Sequence, residues 1–303
     1  MVRYLSHLQI DKVKWDNCIL NAANGLIYAQ SYYLNNIAPN WDALVLNDYE
    51  AVMPLTWRKK FYIKYLYQPP FTQQLGIFFK QQPPIETLNL FTVALQKHFK
   101  FAEIYVNYCN ATAFYGICTA RTNYVLNIDM PYATIYNSYD ADFTKSLRRI
   151  AKFNFHYKQS QNIAEVIILY RELYGQRVLH LGEKEYSSFT ALCTALQQRQ
   201  QLCIRQVLDD EGTLLALSLL FIDDKRIYNI ISCITGGGRR LEANYFLYDN
   251  IVKEFCNKGL VLDLEGSEIK GVASFYLKMN PQNEPYGFLK YNHLHPLLRL
   301  IKK

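Results

Sequence analysis

The order strand, strand, strand, helix, strand is written twice in this chain, and no other feature constrains the fold as much. In the first half, Ala43–Leu46, Ala51–Trp57 and Tyr62–Tyr67 are rich in aromatic and β-branched residues and are separated by turn signals. Asn47-Asp48 makes the first turn, and Pro69-Pro70 ends the third strand. Leu75–Phe79 reads as a further strand. Pro83-Pro84 introduces a helix over Ile85–Phe99, with Leu88, Phe91, Leu95 and Phe99 on one face, and Phe101–Tyr108 returns as a strand. In the second half the strands are Leu202–Leu208, Thr213–Ile222 and Arg226–Ile231. Asp209-Asp210-Glu211-Gly212 and Asp223-Asp224 turn them. A helix from about Arg240 to Cys256 is stopped by Lys258-Gly259, and a short buried strand follows at Leu260–Leu264. Residues 43–57 and 205–221 match in pattern and turn chemistry. Antiparallel hairpins followed by a helix and a parallel strand predict a mixed sheet covered by helices. The expected class is therefore α/β in two similar domains, 1–140 and 141–303.

Length and composition agree. The 303 residues suffice for two domains, and a chain that is half hydrophobic is not wholly disordered. The longest apolar run, Leu214–Ile222, falls short of the ~18 residues that span a bilayer and reads as a buried strand. Arg3, His7, Asp11, Lys12 and Lys14 interrupt any apolar leader. Seven cysteines form no C-x-x-C pair, which suits reduced thiols in a cytoplasmic protein. No His/Cys cluster has zinc spacing, so no metal is expected, and His293 and His295 read as surface residues.

Four of the seven net positive charges lie within residues 141–162, which hold five basic residues and one acidic residue. The stretch from Asp140 to Lys158 reads as a helix opened by Asp140 and Asp142. Phe143, Leu147, Ile150 and Ala151 make its apolar face. Lys145, Arg148, Arg149 and Lys152 make a basic stripe. Such a stripe is either a solvated face or a contact for phosphate, acidic lipid or RNA. Helices are also expected over Ile163–Leu179 and Ser187–Gln200, a strand at Asn123–Ile128, a helical region at Ser267–Leu277 and a last strand near Phe288–Tyr291.

The repeated order resembles that of GNAT-type acyltransferases, and its duplication resembles the FemAB/FemX group, which carries two GNAT-like domains in one chain. Three local features carry the resemblance. Ser146–Lys152 is similar to the helix opening the second domain. Gly236–Arg240, followed by Leu241–Asp249, stands where GNAT proteins bind a pyrophosphate. Asp263-Leu-Glu-Gly-Ser267, with Gly271 and Phe275–Lys278, resembles the D-x-E-G-S…G…F-K ending of many FemAB-like proteins. The resemblance implies an N-acyltransferase with its donor site in the second domain. It would move an acyl or aminoacyl group from a CoA-type or other phosphate-bearing donor to a small-molecule or peptidyl amine. No tightly bound cofactor is implied; acyl-CoA would be a co-substrate. The chain shows no long coiled-coil arm of the kind found in tRNA-using Fem enzymes, and its glycine run departs from Q/R-x-x-G-x-G/A. The donor thus stays open between acyl-CoA and aminoacyl-tRNA. Two other readings stand beside this one: an inactive ligand-binding protein of the same fold, and an RNA or anionic-surface binder using residues 145–152.

Acyl transfer to an amine needs a held donor, a deprotonated amine and a stabilised oxyanion. Gly236, Gly237 and Gly238 with Arg239 and Arg240 suit a phosphate at a helix start. Asp263 and Glu265 alternate on a short strand near its C-terminal end, and either fits a base or a backbone-bonded structural carboxylate. Ser267, Lys270, Lys278 and Tyr228 are candidate substrate contacts in the second half. Trp57, Tyr67 and Gln68 are candidates around a Pro-rich turn in the first.

Overall fold

The computed structural model describes residues 1–110, 112–178 and 181–296. The chain forms two compact units: Met1–Arg121 together with the segment from Pro285 onward, and Thr122–Glu284. Unit 1 contains β1 (Val2–Leu5), α1 (Lys12–Leu20), α2 (Ser31–Ile37), β2 (Trp41–Leu46), β3 (Ala51–Lys60), β4 (Ile63–Tyr67), β5 (Phe78–Phe79), α3 (Ile85–His98), β6 (Phe101–Val106), β7 (Cys118–Arg121) and, from the far end of the chain, β15 (Tyr286–Asn292). Unit 2 contains β8 (Tyr124–Asn127), α4 (Tyr132–Ser138), α5 (Ala141–Ile150), β9 (His156–Ser160), α6 (Ile163–Tyr174), α7 (Glu183–Gln198), β10 (Leu202–Leu208), β11 (Leu214–Ile222), β12 (Arg226–Ile234), α8 (Gly236–Arg240), α9 (Ala243–Phe255), β13 (Val261–Asp263), α10 (Lys270–Leu277) and β14 (Gln282–Asn283).

The two sheets follow one plan. Unit 1 orders its strands β1-β2-β3-β4-β6-β15-β7, with β5 on β3. Unit 2 orders them β9-β10-β11-β12-β13-β8-β14. In each, three antiparallel strands lead through a helix to a strand that pairs in parallel, β4 with β6 and β12 with β13. β11 is buried along almost its whole length, which is why its sequence is unbroken Leu, Ala, Ser and Phe rather than an alternation. The amphipathic α9 lays Leu247, Ile251, Val252 and Phe255 into the unit 2 core. In unit 1, Leu88, Phe91 and Leu95 of α3 do the same. Among the described residues no helix is long and apolar enough to cross a membrane.

Several expectations are corrected. The units do not divide at 140/141: β8 and α4 belong to unit 2 and β15 to unit 1. The cause is pairing, since β8 lies between β13 and β14 while β15 lies between β6 and β7. The basic stretch is not one helix to Lys158. α5 ends at Ile150, Ala151 is exposed, and His156–Ser160 is an edge strand on β10. The helix expected over Ile163–Leu179 ends at Tyr174 and continues as a 3-10 turn to Arg177; Leu179 lies outside the described residues. The helix expected from Arg240 starts earlier and is broken at Glu242, whose φ is +55°, so α8 and α9 are separate. β1, β7, β9 and β14 carry no strong pattern of their own.

Candidate active site

In unit 2, β12 and β13 pair at Arg226↔Val261, Ile227↔Leu262 and Tyr228↔Asp263, and then part. On the other side of β12 the register to β11 slips by one, from Leu219↔Ile231 to Leu220↔Asn229, so Ile230 is a bulge. A bulge re-aims the neighbouring side chain. Here it sits beside Asn229, which is buried in the opening between the strands. Asn229 Nδ2 donates to the Tyr248 hydroxyl (2.7 Å), the Tyr276 hydroxyl (3.1 Å) and, more weakly, Leu264 O (3.3 Å). The two tyrosine oxygens are 3.1 Å apart. Asn229 Oδ1 is buried and has no hydrogen-bond partner. Ser218 and Ser232, opposite one another across β11 and β12, flank Tyr248.

Glu265 enters this cluster from the end of β13. Its φ is +47° and that of Gly266 is +59°, so the chain turns sharply inward there. The residue as a whole is half-buried, but its carboxyl lies inside the unit and Oε1 has no hydrogen-bond partner. Burial pushes the carboxyl up to a pKa of about 8. Tyr276 is pushed well above its ordinary value by burial, by Tyr248 and by the adjacent Glu265, so it stays protonated. A buried acid without a partner beside hydroxyls held protonated makes this cluster a candidate site for proton transfer.

Asp263 differs from Glu265 although only two residues separate them. It is fully buried, with Oδ2 paired to Arg226 Nη1 (2.7 Å). Oδ1 accepts from Asn123 Nδ2 (3.0 Å) and from the Glu265 N–H (3.2 Å). Arg226 is held in turn by Glu284 at 2.8 and 3.1 Å. Asp263 therefore braces the loop carrying Glu265. Ser267 is also a brace: its Oγ accepts from the Tyr124 N–H (2.9 Å). Tyr228 is fully buried and donates to Asp223 (2.7 Å). Lys278 donates to the Tyr245 hydroxyl (3.2 Å) and lies 3.7 Å from Asp142. Lys270 is exposed at the start of α10.

The glycine run is the first turn of a helix. Thr235 caps α8 by accepting from the Gly238 N–H (3.0 Å). The three glycines have different reasons. A Cβ on Gly238 would lie 2.0 Å from Leu215 O, so only glycine lets α8 pack on β11. At Gly236 and Gly237 a Cβ would meet nothing closer than 3.7 Å, so packing does not demand glycine there. Arg239 reaches Ile234 O (3.3 Å) and the Tyr174 hydroxyl (3.5 Å), and Arg240 is exposed. In α5 the basic stripe is partly neutralised: Arg149 forms a two-pronged pair with Glu242 (2.7 and 2.6 Å). Lys145, Arg148 and Lys152 are exposed.

Unit 1 closes the equivalent opening with its own chain. After β4 and β6 part, the Gln68 amide donates to Thr72 O (2.7 Å) and accepts from the Tyr105 N–H (2.9 Å). Leu75 then bridges to Val106, with backbone bonds of 2.9 and 2.8 Å to Tyr105 and Asn107. Gln68 is thus a strut. Tyr67 lies under the Arg58 guanidinium at 4.3 Å. Trp57 lines an open cavity of about 370 Å³ with His7, Asn35, Asn40, Trp41 and Asp42. A second cavity of about 570 Å³, between Met1, Asn47, Lys80 and Pro83, is also in unit 1. Neither volume contains the unpaired carboxyl.

The sequence analysis singles out Glu265 but not Asn229, and it quotes the segments holding Tyr248 and Tyr276 without giving either residue a role. A readable signal existed for Asn229, a lone amide inside an apolar strand. For the two tyrosines the residue type alone gave none, because aromatics on helices are usually core.

This is the architecture of a tandem GNAT-type protein, with two mixed sheets flanked by helices. The fold is similar to that of FemX, whose crystal structure matches 99% of this chain and 100% of its own at a TM-score of 0.68 and 13% identity. A C-terminal domain ascribed to a lysylphosphatidylglycerol synthetase of Agrobacterium fabrum matches at 0.57 and 12% identity, over 96% of this chain and 94% of its own. A tandem GNAT protein from the clavulanic acid biosynthesis pathway matches at 0.53 and 8% identity, over 97% and 99%. No protein-family model and no curated protein matches the sequence.

Proposed function

We propose that this chain is an N-acyltransferase whose acid–base centre is Glu265, surrounded by Asn229, Tyr248 and Tyr276. The reading rests on one observation, the buried carboxyl of Glu265 with its unpartnered oxygen and a pKa raised to about 8. A base works best with a pKa near the ambient pH. Glu265 takes a proton from the attacking ammonium or amine. The amine nitrogen bonds to the acyl carbon, and the leaving sulfur or oxygen is protonated in its turn. The Tyr248 and Tyr276 hydroxyls, oriented by the Asn229 amide that donates to both, face the developing oxyanion as donors. Asp263, Arg226 and Ser267 position the loop and do not react.

The donor's phosphate end is assigned to the start of α8, at Gly236 and Gly237, with Arg239 and Arg240 beside it. β12 runs on from Tyr228 to Ile234 before α8 begins. At ~3.3 Å per residue that is about 20 Å from the level of Asp263 and about 13 Å from a level two residues further along the parallel strand, where Glu265 follows. A donor bridging it needs an extended arm between phosphate and acyl carbon. This supports a CoA-type thioester over a ribose ester, whose nearest phosphate lies close to its carbonyl. Lys270 and Lys278 are assigned to the acceptor.

A thermal-shift screen with acetyl-CoA, longer acyl-CoAs and free CoA tests the donor. A ligand at a hundredfold excess over its dissociation constant stabilises by about 2.7 kcal/mol, which is readily measured. A shift that disappears in Gly237→Val supports the reading. No shift with any CoA species removes the CoA donor and favours an aminoacyl carrier or a binding protein without catalysis.

A further inference from the structure

The hairpin joining β3 to β4 carries a feature that acyl transfer does not use. Lys60 pairs with Ile63, leaving Phe61 and Tyr62 as a two-residue turn. Their φ values are +48° and +63°. Such turns favour Asn-Gly, and bulky aromatics at both positions are strained. Packing within the unit does not offset the strain: Phe61 is 63% exposed and Tyr62 92%. Behind the rings stand Arg58, Lys59, Lys60 and Lys64. Lys59 and Lys60 are exposed, lean on the Tyr62 and Phe61 rings at 5.2 and 5.5 Å, and form no ion pair among the described residues. Lys64 lies over Trp57 at 3.9 Å and 3.7 Å from Asp42. Between Glu50 and Glu86 the chain has no acidic residue.

We propose that this hairpin docks unit 1 onto an acidic lipid bilayer, with Phe61 and Tyr62 entering the headgroup layer and the collar of cations on the lipid phosphates. The order of the chemistry carries the inference. Aromatic rings settle at the membrane–water interface, lysines extend from apolar surroundings toward phosphate, and an acidic leaflet attracts clustered cations. Here the rings lead and the cations follow, as insertion requires. Single-stranded nucleic acid also uses rings and cations, but it stacks its bases inside a charged groove, and these rings form a convex tip.

The test is co-sedimentation of the full chain with mixed phosphatidylcholine–phosphatidylglycerol vesicles and with pure phosphatidylcholine vesicles. Preferential binding to the mixed vesicles is expected. Lys59→Gln with Lys60→Gln should weaken it ~25-fold, about fivefold for each charge. Phe61→Ser with Tyr62→Ser should weaken it at least ~10-fold at unchanged net charge. Tyr62→Trp, a near-isosteric reporter, should show a blue-shifted emission on mixed vesicles. Equal binding to both vesicles, wild-type binding by the Phe61/Tyr62 variant, or an unshifted reporter would overturn the proposal. So would tighter binding of a single-stranded oligonucleotide through the same residues.

Discussion

Glu265 and Asp263 are two carboxylates on one short segment, and a sequence makes them look interchangeable. Folding separates them. Asp263 meets Arg226, 37 residues earlier, while Glu265 forms no ion pair among the described residues and its Oε1 has no hydrogen-bond partner. Neither partner distance is written locally, so the alternation reveals a pair of acids without saying which is closed. The consequence for stability can be signed. The folded state holds a proton on Glu265 up to a pKa of about 8, whereas the unfolded chain releases it near the ordinary 4.5. The folded state therefore binds more protons in that window, and stability falls as pH rises through it. Glu265→Gln removes the charge at constant shape. Its urea-unfolding free energy should exceed that of the wild type by on the order of 4 kcal/mol above pH 8, with the gap closing as pH falls towards 4.5. A gap independent of pH would mean that the carboxyl is not held neutral by burial.

At the scale of elements, long amphipathic or wholly apolar segments were legible and short edge segments were not. β11 and α3 fall within a residue of their expected ends, because seven consecutive buried residues and a four-residue apolar repeat are local signals. β9 and β14 are held only by pairing with strands distant in sequence, so nothing local announces them. The glycine run shows the same limit: three identical residues carry two different reasons. Gly238→Ala should destabilise by roughly 1–3 kcal/mol or more, because its Cβ would strike the Leu215 carbonyl at 2.0 Å. Gly237→Ala, whose Cβ would meet Leu215 at an ordinary contact distance of 3.7 Å, should leave the melting temperature unchanged or raise it slightly. Its effect should appear in donor affinity instead. Equal losses of stability in both variants would place the whole run in packing.

At the scale of the molecule, the duplication was readable from the repeated element order, and the exchange of strands was not. β8 follows β7 closely in sequence yet completes the other sheet, and β15 follows β14 and does likewise. A boundary drawn by composition cannot see that crossing. The duplication also explains why one unit is assigned the chemistry. Unit 1 fills the gap after its parallel pair with Gln68 and Leu75, and unit 2 leaves there a buried carboxyl and a buried amide oxygen without partners. The most direct measurement is amine-dependent release of free thiol from acyl-CoA as a function of pH, for wild type and Glu265→Gln. The wild-type rate should rise about tenfold per pH unit and level near pH 8, and the variant should fall by ~10²–10⁴ while still binding CoA. A variant as active as the wild type, or a rate flat across that range, would contradict Glu265 as the base.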